Sequence, residues 1–233
     1  MNRFVLGLAA LVLLAAPLGA RQQQPQGGLS QQAIDDAISK GIEFLRTAGS
    51  PAIDDNPDCD ELILLTFIHA GVSIDDPKVA SLLENVLKKP LERTYQASLL
   101  AMCLEEIDRV RYQPQIIMCG QFLIDNMKDN GHWGYGQPSK AAPTVPSVAS
   151  RKAVSSGGRS NVPKIDVHGR VEKPKVKNRI QLQKLGDVDS GRGDNSNSQY
   201  AALGLRACHD AGVTFGKEHI TRARKWWVDS QHP

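Results

Sequence analysis

Phe122-Leu123, followed by Gly131-His132-Trp133, is the stretch on which the fold turns, because versions of it stand twice more in the chain. Lys40-Gly41-Ile42-Glu43-Phe44-Leu45 precedes it, and Arg222-Ala223-Arg224-Lys225-Trp226-Trp227 with Gln231 follows it. A second echo runs in register. His69-Ala70-Gly71-Val72-Ser73-Ile74 returns as Asp210-Ala211-Gly212-Val213-Thr214-Phe215, each time at the end of an apolar run and before a new helix. Self-similarity at a spacing of tens of residues marks a repeat architecture built from stacked units.

Around these echoes the apolar residues recur at helical spacing, in two alternating kinds. Ile34, Ile38, Ile42 and Leu45 stripe an amphipathic helix over 31–47, with Ser30 as its N-cap. Leu62 to Ala70 is apolar on almost every side, opens at Asp58 or Asp60 and stops at Gly71, the pattern of a helix surrounded by protein. Asp76 and Pro77 start a third, amphipathic helix that Pro90 ends. Tyr95–Ile107 is again apolar all round, and Pro114 opens an amphipathic helix through Met127. Asp194 or Ser196 starts the next inner helix, Tyr200–Ala211, whose alanines and glycine permit close neighbours. Ile220, Ala223 and Trp227 stripe a last outer helix. The expected fold class is all-α, with inner and outer helices alternating because each pair buries its apolar faces against the next.

The remaining segments are accessory to that array. Met1–Ala20 carries Arg3, an apolar run from Phe4 to Ala16, Pro17 and a small residue at Ala20, the layout of a secretory signal, with the mature chain expected to begin at Arg21. The run is too short for a comfortable membrane span, and residues 21–30 read as a flexible lead-in. The array is expected in two parts, 31–136 and 194–233. Between them, 137–193 is rich in Lys, Arg, Ser and Gly, too long for an ordinary connection, and reads as a largely disordered basic insert, with a small hairpin around Ile165, Val167 and Val171. Secretion permits disulfides, yet Cys103, Cys119 and Cys208 fall within helices and suit buried thiols; a Cys103–Cys208 bridge is the alternative.

Lys40-Gly41-x-x-Phe44-Leu45, Phe122-Leu123 ending in Gly131-x-Trp133, and Arg222-Ala223-x-x-Trp226-Trp227-x-x-x-Gln231 resemble the QW repeat of the prenyltransferase and squalene cyclase superfamily. The resemblance implies an α/α toroid with inner and outer helical rings, in which a glutamine amide caps the next inner helix and a tryptophan packs against it. The copies depart from the pattern. Gly49 and Met127 stand where the first two glutamines belong, and the helix pairs number fewer than a closed ring of that family uses. A partial ring is therefore expected, open at its edges and suited to self-association or to a partner.

The chemistry that the resemblance implies is incomplete here. Asp58-Cys59-Asp60-Glu61 has the carboxylate density of a protonating Asp-x-Asp-Asp motif but opens a helix, where acids serve as caps, and capping is the favoured reading. No Asp-x-Cys supplies a zinc site; His69, the histidine nearest Cys59, reads as a local cap. Cys119-Gly120-Gln121 is one residue short of a thioester motif, and Arg192-Gly193-Asp194 spells an adhesion tripeptide whose aspartate suits a helix cap. The basic insert lacks interleaved aromatics, so it reads as a solvated linker with no specific nucleic-acid role. Tyr95, Trp133, Tyr135 and Tyr200 are the candidates to line a concave apolar cavity for substrate, with packing of repeat aromatics as the competing reading. The sequence is expected to encode an exported, non-catalytic repeat protein, without cofactor or metal, that binds a protein or polymer partner. The alternative is part of a terpenoid cyclase-like or prenyltransferase-like enzyme whose catalytic residues lie outside this chain.

Overall fold

The computed structural model describes residues 30–47, 59–138, 173–186 and 192–231. The chain divides into two units, Met1–Ser39 and Lys40–Pro233. In the first, Ser30 caps helix α1 (Gln31–Thr47), its hydroxyl accepting from the Ala33 N–H at 3.1 Å. The rest of α1 and everything below belong to the second unit. Its elements are α2 (Asp60–His69), α3 (Pro77–Lys88), α4 (Thr94–Asp108), α5 (Gln113–Asp125), β1 (Ile180–Leu182), α6 (Asn195–Asp210), β2 (Val213–Phe215) and α7 (Lys217–Asp229). The seven expected helices are present, and the described residues are mostly helical. Among them no helix is long and apolar enough to cross a membrane.

The two kinds of helix have a physical counterpart in the packing. α4 is the hub: it packs against α2 on one side, α6 on another and α5 behind, while α3 packs on α2. Ala97, Leu99, Leu100, Ala101, Cys103 and Leu104 of α4 are all buried. A leucine buried as fully as Leu104 contributes roughly 1.5–3 kcal/mol of transfer free energy. The contacts do not follow the inner and outer kinds alone, since α5, read as outer, packs on both α4 and α6.

The Gly71 and Gly212 echo has a backbone cause. Both glycines follow the C-cap residue of a helix, α2 and α6, with φ of 74° and 80°, a left-handed conformation that costs other residues a Cβ clash. At α2 the Gly71 N–H reaches Ile68 O and the Val72 N–H reaches Phe67 O, each at 3.0 Å, closing the helix with paired reversed bonds. At α6 the first of these recurs from Gly212 to His209 O at 2.9 Å. The chain then departs from the echo, because Val213-Thr214-Phe215 becomes β2.

Within 137–193, read as a largely disordered insert, residues 173–186 form an ordered strap, which narrows that reading. β1 pairs in parallel with β2, Ile180 opposite Val213 and Leu182 opposite Phe215. Polar side chains on α4 and α5 hold the strap by its main chain. Arg109 donates to Pro174 O at 2.7 Å, Gln113 to Asn178 O at 2.9 Å and Gln121 to Gln183 O at 2.9 Å, while Asp125 accepts from the Leu185 N–H at 2.9 Å. Lys173 adds ion pairs to Glu105 at 2.6 Å and Glu106 at 2.7 Å. This corrects α5 as well. Expected to be wet on one side, it is buried nearly all round, since Gln121 and Asp125 face the strap and find partners there. The hairpin around 165–171 lies outside the described residues.

Other sequence expectations divide. Asp76 caps α3, accepting from the Lys78 N–H at 2.9 Å. Asp194 caps α6, accepting from the Asn197 N–H at 2.8 Å, and its other oxygen takes the Asn197 amide at 2.7 Å. Asp194→Ala is expected to cost about 1 kcal/mol of stability, read in a denaturant melt, while Asp194→Asn loses less; equal losses would remove capping as the reason. Asp60 does not cap α2. Cys59 is the N-cap, making no side-chain cap bond, and the Asp60 carboxylate instead pairs with Lys89 at 2.8 Å. Nor do Cys103 and Cys208 form a bridge: both are buried thiols, one donating to Glu61 O and the other to Ile116 O.

Candidate functional site

The repeat residues separate into a joint and two exposed copies. Phe122 and Leu123 are buried, and Trp133 is 1% exposed with its indole N–H donating to Leu123 O at 2.7 Å. The Trp133 N–H donates to Ser198 Oγ at 3.1 Å, and its carbonyl accepts from the Asp194 N–H at 3.0 Å, so this one residue ties α5 to the start of α6. Gly131 approaches the Arg222 carbonyl so closely that an added Cβ would lie 2.3 Å from it, and the His132 ring meets Trp226 at 5.5 Å, which brings in α7. The flanking copies differ. Phe44 is 66% exposed, Leu45 packs only partly, and no atom lies near the position of a Cβ on Gly41. Trp226 and Trp227 are half-buried against each other, and Gln231 is exposed, its described bond being a backbone one to Val228 O. Among the described residues Gln231 caps no helix.

Chain continuity from the joint explains the pocket. Past Trp133 the chain is pinned to α4, where the Thr94 hydroxyl donates to Gly134 O at 2.7 Å and the Thr94 N–H to Tyr135 O at 2.6 Å. This sets Tyr135 beside the first turns of α4 and α6. Tyr95, Tyr135 and Tyr200 then line one pocket of about 150 Å³ with Cys59, Glu61, Leu62, Leu99, Ser196 and Asn197. Three of the four candidate aromatics come together. Trp133 does not join them, because it is consumed by the joint. The Arg93 guanidinium lies 5.9 Å from the Tyr135 ring centroid, placing a cation at the rim.

Glu61, read from the sequence with Asp58 and Asp60 as part of a capping string, has a different place in the structure. It is 2% exposed, its Oε1 has no hydrogen-bond partner, and with Tyr95 it also lines a second, more polar cavity of about 330 Å³ bounded by Lys89, Glu92, Arg93 and Gln96. Burial pushes its carboxyl above the usual glutamate range, and Asp60 adds to this; its own backbone N–H, the charge on Lys89 and the Gln96 amide pull the other way without cancelling it. The available signal was a paired Asp60-Glu61 opening a helix apolar on all sides, where two adjacent acids cannot both reach solvent.

A carboxyl with a raised folded pKa stabilises the fold while protonated. Its contribution is whole below pH 4.5, the ordinary value, and is lost as pH rises through the raised value. Glu61→Gln keeps the shape and removes the ionisation, so the variant is expected to gain on the parent protein as pH rises toward neutrality. Parallel Tm-against-pH curves for the two proteins would show that Glu61 is not the source.

The other imagined chemistry finds no geometry. Cys59 and His69 stand at opposite ends of α2, ~15 Å apart along the helix axis, too far to share an ion. Cys119 is buried and its thiol is pushed up to about 12 by that burial, with Glu61 adding to it, which makes it a poor nucleophile. Asp194 of the adhesion tripeptide spends both oxygens within α6, on Ser196 and Asn197. No protein family, curated protein or solved structure matches the chain.

Proposed function

We propose that this is an exported helical-repeat binding protein, a partial α/α toroid, that takes a projecting group of a protein or polymer partner into the tyrosine pocket on its inner helices. The observation that carries the reading is the convergence of Tyr95, Tyr135 and Tyr200, from three separate segments, on one pocket walled by Leu62 and Leu99. Tyrosine supplies large contact area at little conformational cost together with a polar tip, and Leu62 and Tyr135 leave 45% and 59% of themselves exposed at the mouth. The packed joint at Trp133 holds Tyr135 in place, so the pocket is preorganised by the same contacts that fold the protein.

The test is cross-linking of the tagged chain in its source cells, with the parent protein and a Leu62→Arg, Tyr200→Ala variant compared at matched expression. A cross-linked species present with the parent and lost with the variant supports the reading. Cross-linking unchanged by the variant would place any interaction elsewhere and overturn it. The intact mass of the protein recovered in the same experiment checks export, since removal of Met1–Ala20 is expected.

A further inference from the structure

We infer that the tyrosine pocket receives a carboxylate carried on a small apolar or aromatic body, the chemistry presented by the free C-terminus of a partner chain or by a small organic acid. This rests on the reading of that pocket as the binding surface. The first turns of three helices meet there: Cys59, Glu61 and Leu62 from the start of α2, Tyr95 from α4, and Ser196 and Asn197 from α6. Helix starts present unsatisfied N–H groups and the positive end of the dipole, which favour an anion. Asp194 caps α6; Cys59 and Arg93, the N-cap residues of α2 and α4, make no side-chain cap bond, and the first N–H of α4 goes to Tyr135 O. The pocket has room for about one benzene-sized ring, beside Leu62, Leu99 and the tyrosines.

The second observation is Glu61 itself. A buried carboxyl lining the pocket, whose Oε1 has no hydrogen-bond partner among the described residues, is a polar group open to a ligand. Protonated, it donates its O–H to an incoming carboxylate, an O–H···O⁻ bond of the short, charge-assisted kind. Burial outweighs the charged groups facing it, which are of both signs: Lys89 favours its ionised form and Asp60 its protonated one. Asp60 is neutralised by Lys89 at 2.8 Å, Arg93 stands at the rim, and Glu92 lies across the second cavity. Tyr95, whose phenol burial pushes up, and the Cys103 thiol, which donates to Glu61 O, stay protonated beside it. Ionising Glu61 would set two carboxylates against each other, so affinity for an acid falls as pH rises and affinity for an amine rises.

The test uses the full chain and 3-phenylpropionate, 3-phenylpropanol and 3-phenylpropylamine, together with a short peptide ending in phenylalanine as free acid and as amide. Binding is measured by titration calorimetry at about pH 5.5 and about pH 7.5. The acid is expected to bind roughly tenfold tighter than the alcohol or the amine at the lower pH and to weaken at the higher. Tyr200→Ala, at a half-buried position, is expected to abolish this binding, and Glu61→Gln to retain it without the pH dependence. A free-acid peptide preferred over both its amide and phenylpropionate identifies a chain terminus as the source; phenylpropionate preferred over the peptide identifies a small acid. Alcohol or amine binding as tightly as acid, and lost in Tyr200→Ala, overturns the carboxylate while leaving the pocket as a binding surface. Binding of none of the probes overturns the inference and removes support from the pocket as well.

Discussion

Trp133→Ala lowers the stability of this protein by about 3–5 kcal/mol, the expected loss for a large aromatic removed from a packed interior. Trp133 is among the largest fully buried side chains, and no neighbour is free to fill the space: Leu123 and Ser198 are themselves buried and bonded to it. Two effects add. The cavity removes dispersion contacts on every side, and Leu123 O loses the only hydrogen bond that the indole supplied. Trp133→Phe separates them, since it keeps most of the volume and forfeits the bond, and is expected to cost about 1–3 kcal/mol. At roughly 2–4 °C per kcal/mol for a chain of this size, the alanine variant melts on the order of 10 °C lower. A melting temperature within a degree or two of the parent would mean that the Gly131-His132-Trp133 turn is not a structural joint. The effect reaches the pocket too, because Tyr135 is held two residues further along the same segment by Thr94.

That joint shows what the sequence could and could not convey. The Gly-x-Trp signal is local: a glycine where the backbone crowds α7 and a tryptophan that a soluble chain must bury, both visible without coordinates. Helix existence was legible for the same reason, since 3.6-residue periodicity and the caps at Ser30, Asp76 and Asp194 are short-range facts. The strap was not. Lys173 to Gly186 has no apolar period and many charges, and its order comes from Arg109, Gln113, Gln121 and Asp125, more than fifty residues away, gripping its main chain. Recognition of main chain leaves no mark on the sequence recognised. The tyrosines of the pocket were found as aromatics near helix starts, whereas Glu61 was hidden by its neighbours. Among Asp58, Asp60 and Glu61, only the fold decides which acid turns inward, and it turns Asp60 to Lys89 and Glu61 into the protein.

Gly204→Ala is expected to destabilise despite placing a better helix former in α6. In an open helix the exchange gains about 1 kcal/mol, and Gly41→Ala in α1, where no atom lies within 4 Å of the new Cβ, should realise roughly 0.5–1 kcal/mol of it. At Gly204 the new Cβ would stand 2.7 Å from Ser98 Cα and 2.9 Å from Leu123 Cδ1. A leucine tip can rotate away, but the α4 backbone cannot, so α4 and α6 must separate at their closest approach. Overpacking of this kind costs about 1–3 kcal/mol, which outweighs the helical gain, and Gly204→Leu should exceed that range. The two alanine variants thus move the melting temperature in opposite directions, and a rise in both would show that α4 and α6 do not depend on a bare backbone contact. The separation also has a functional reading. Ser98 lies one turn from Tyr95 and next to Leu99, and Gly204 one turn from Tyr200, so prising the helices apart widens the pocket between those tyrosines. Gly204→Ala should therefore weaken ligand binding at temperatures where the variant is still folded, while Gly41→Ala leaves it unchanged.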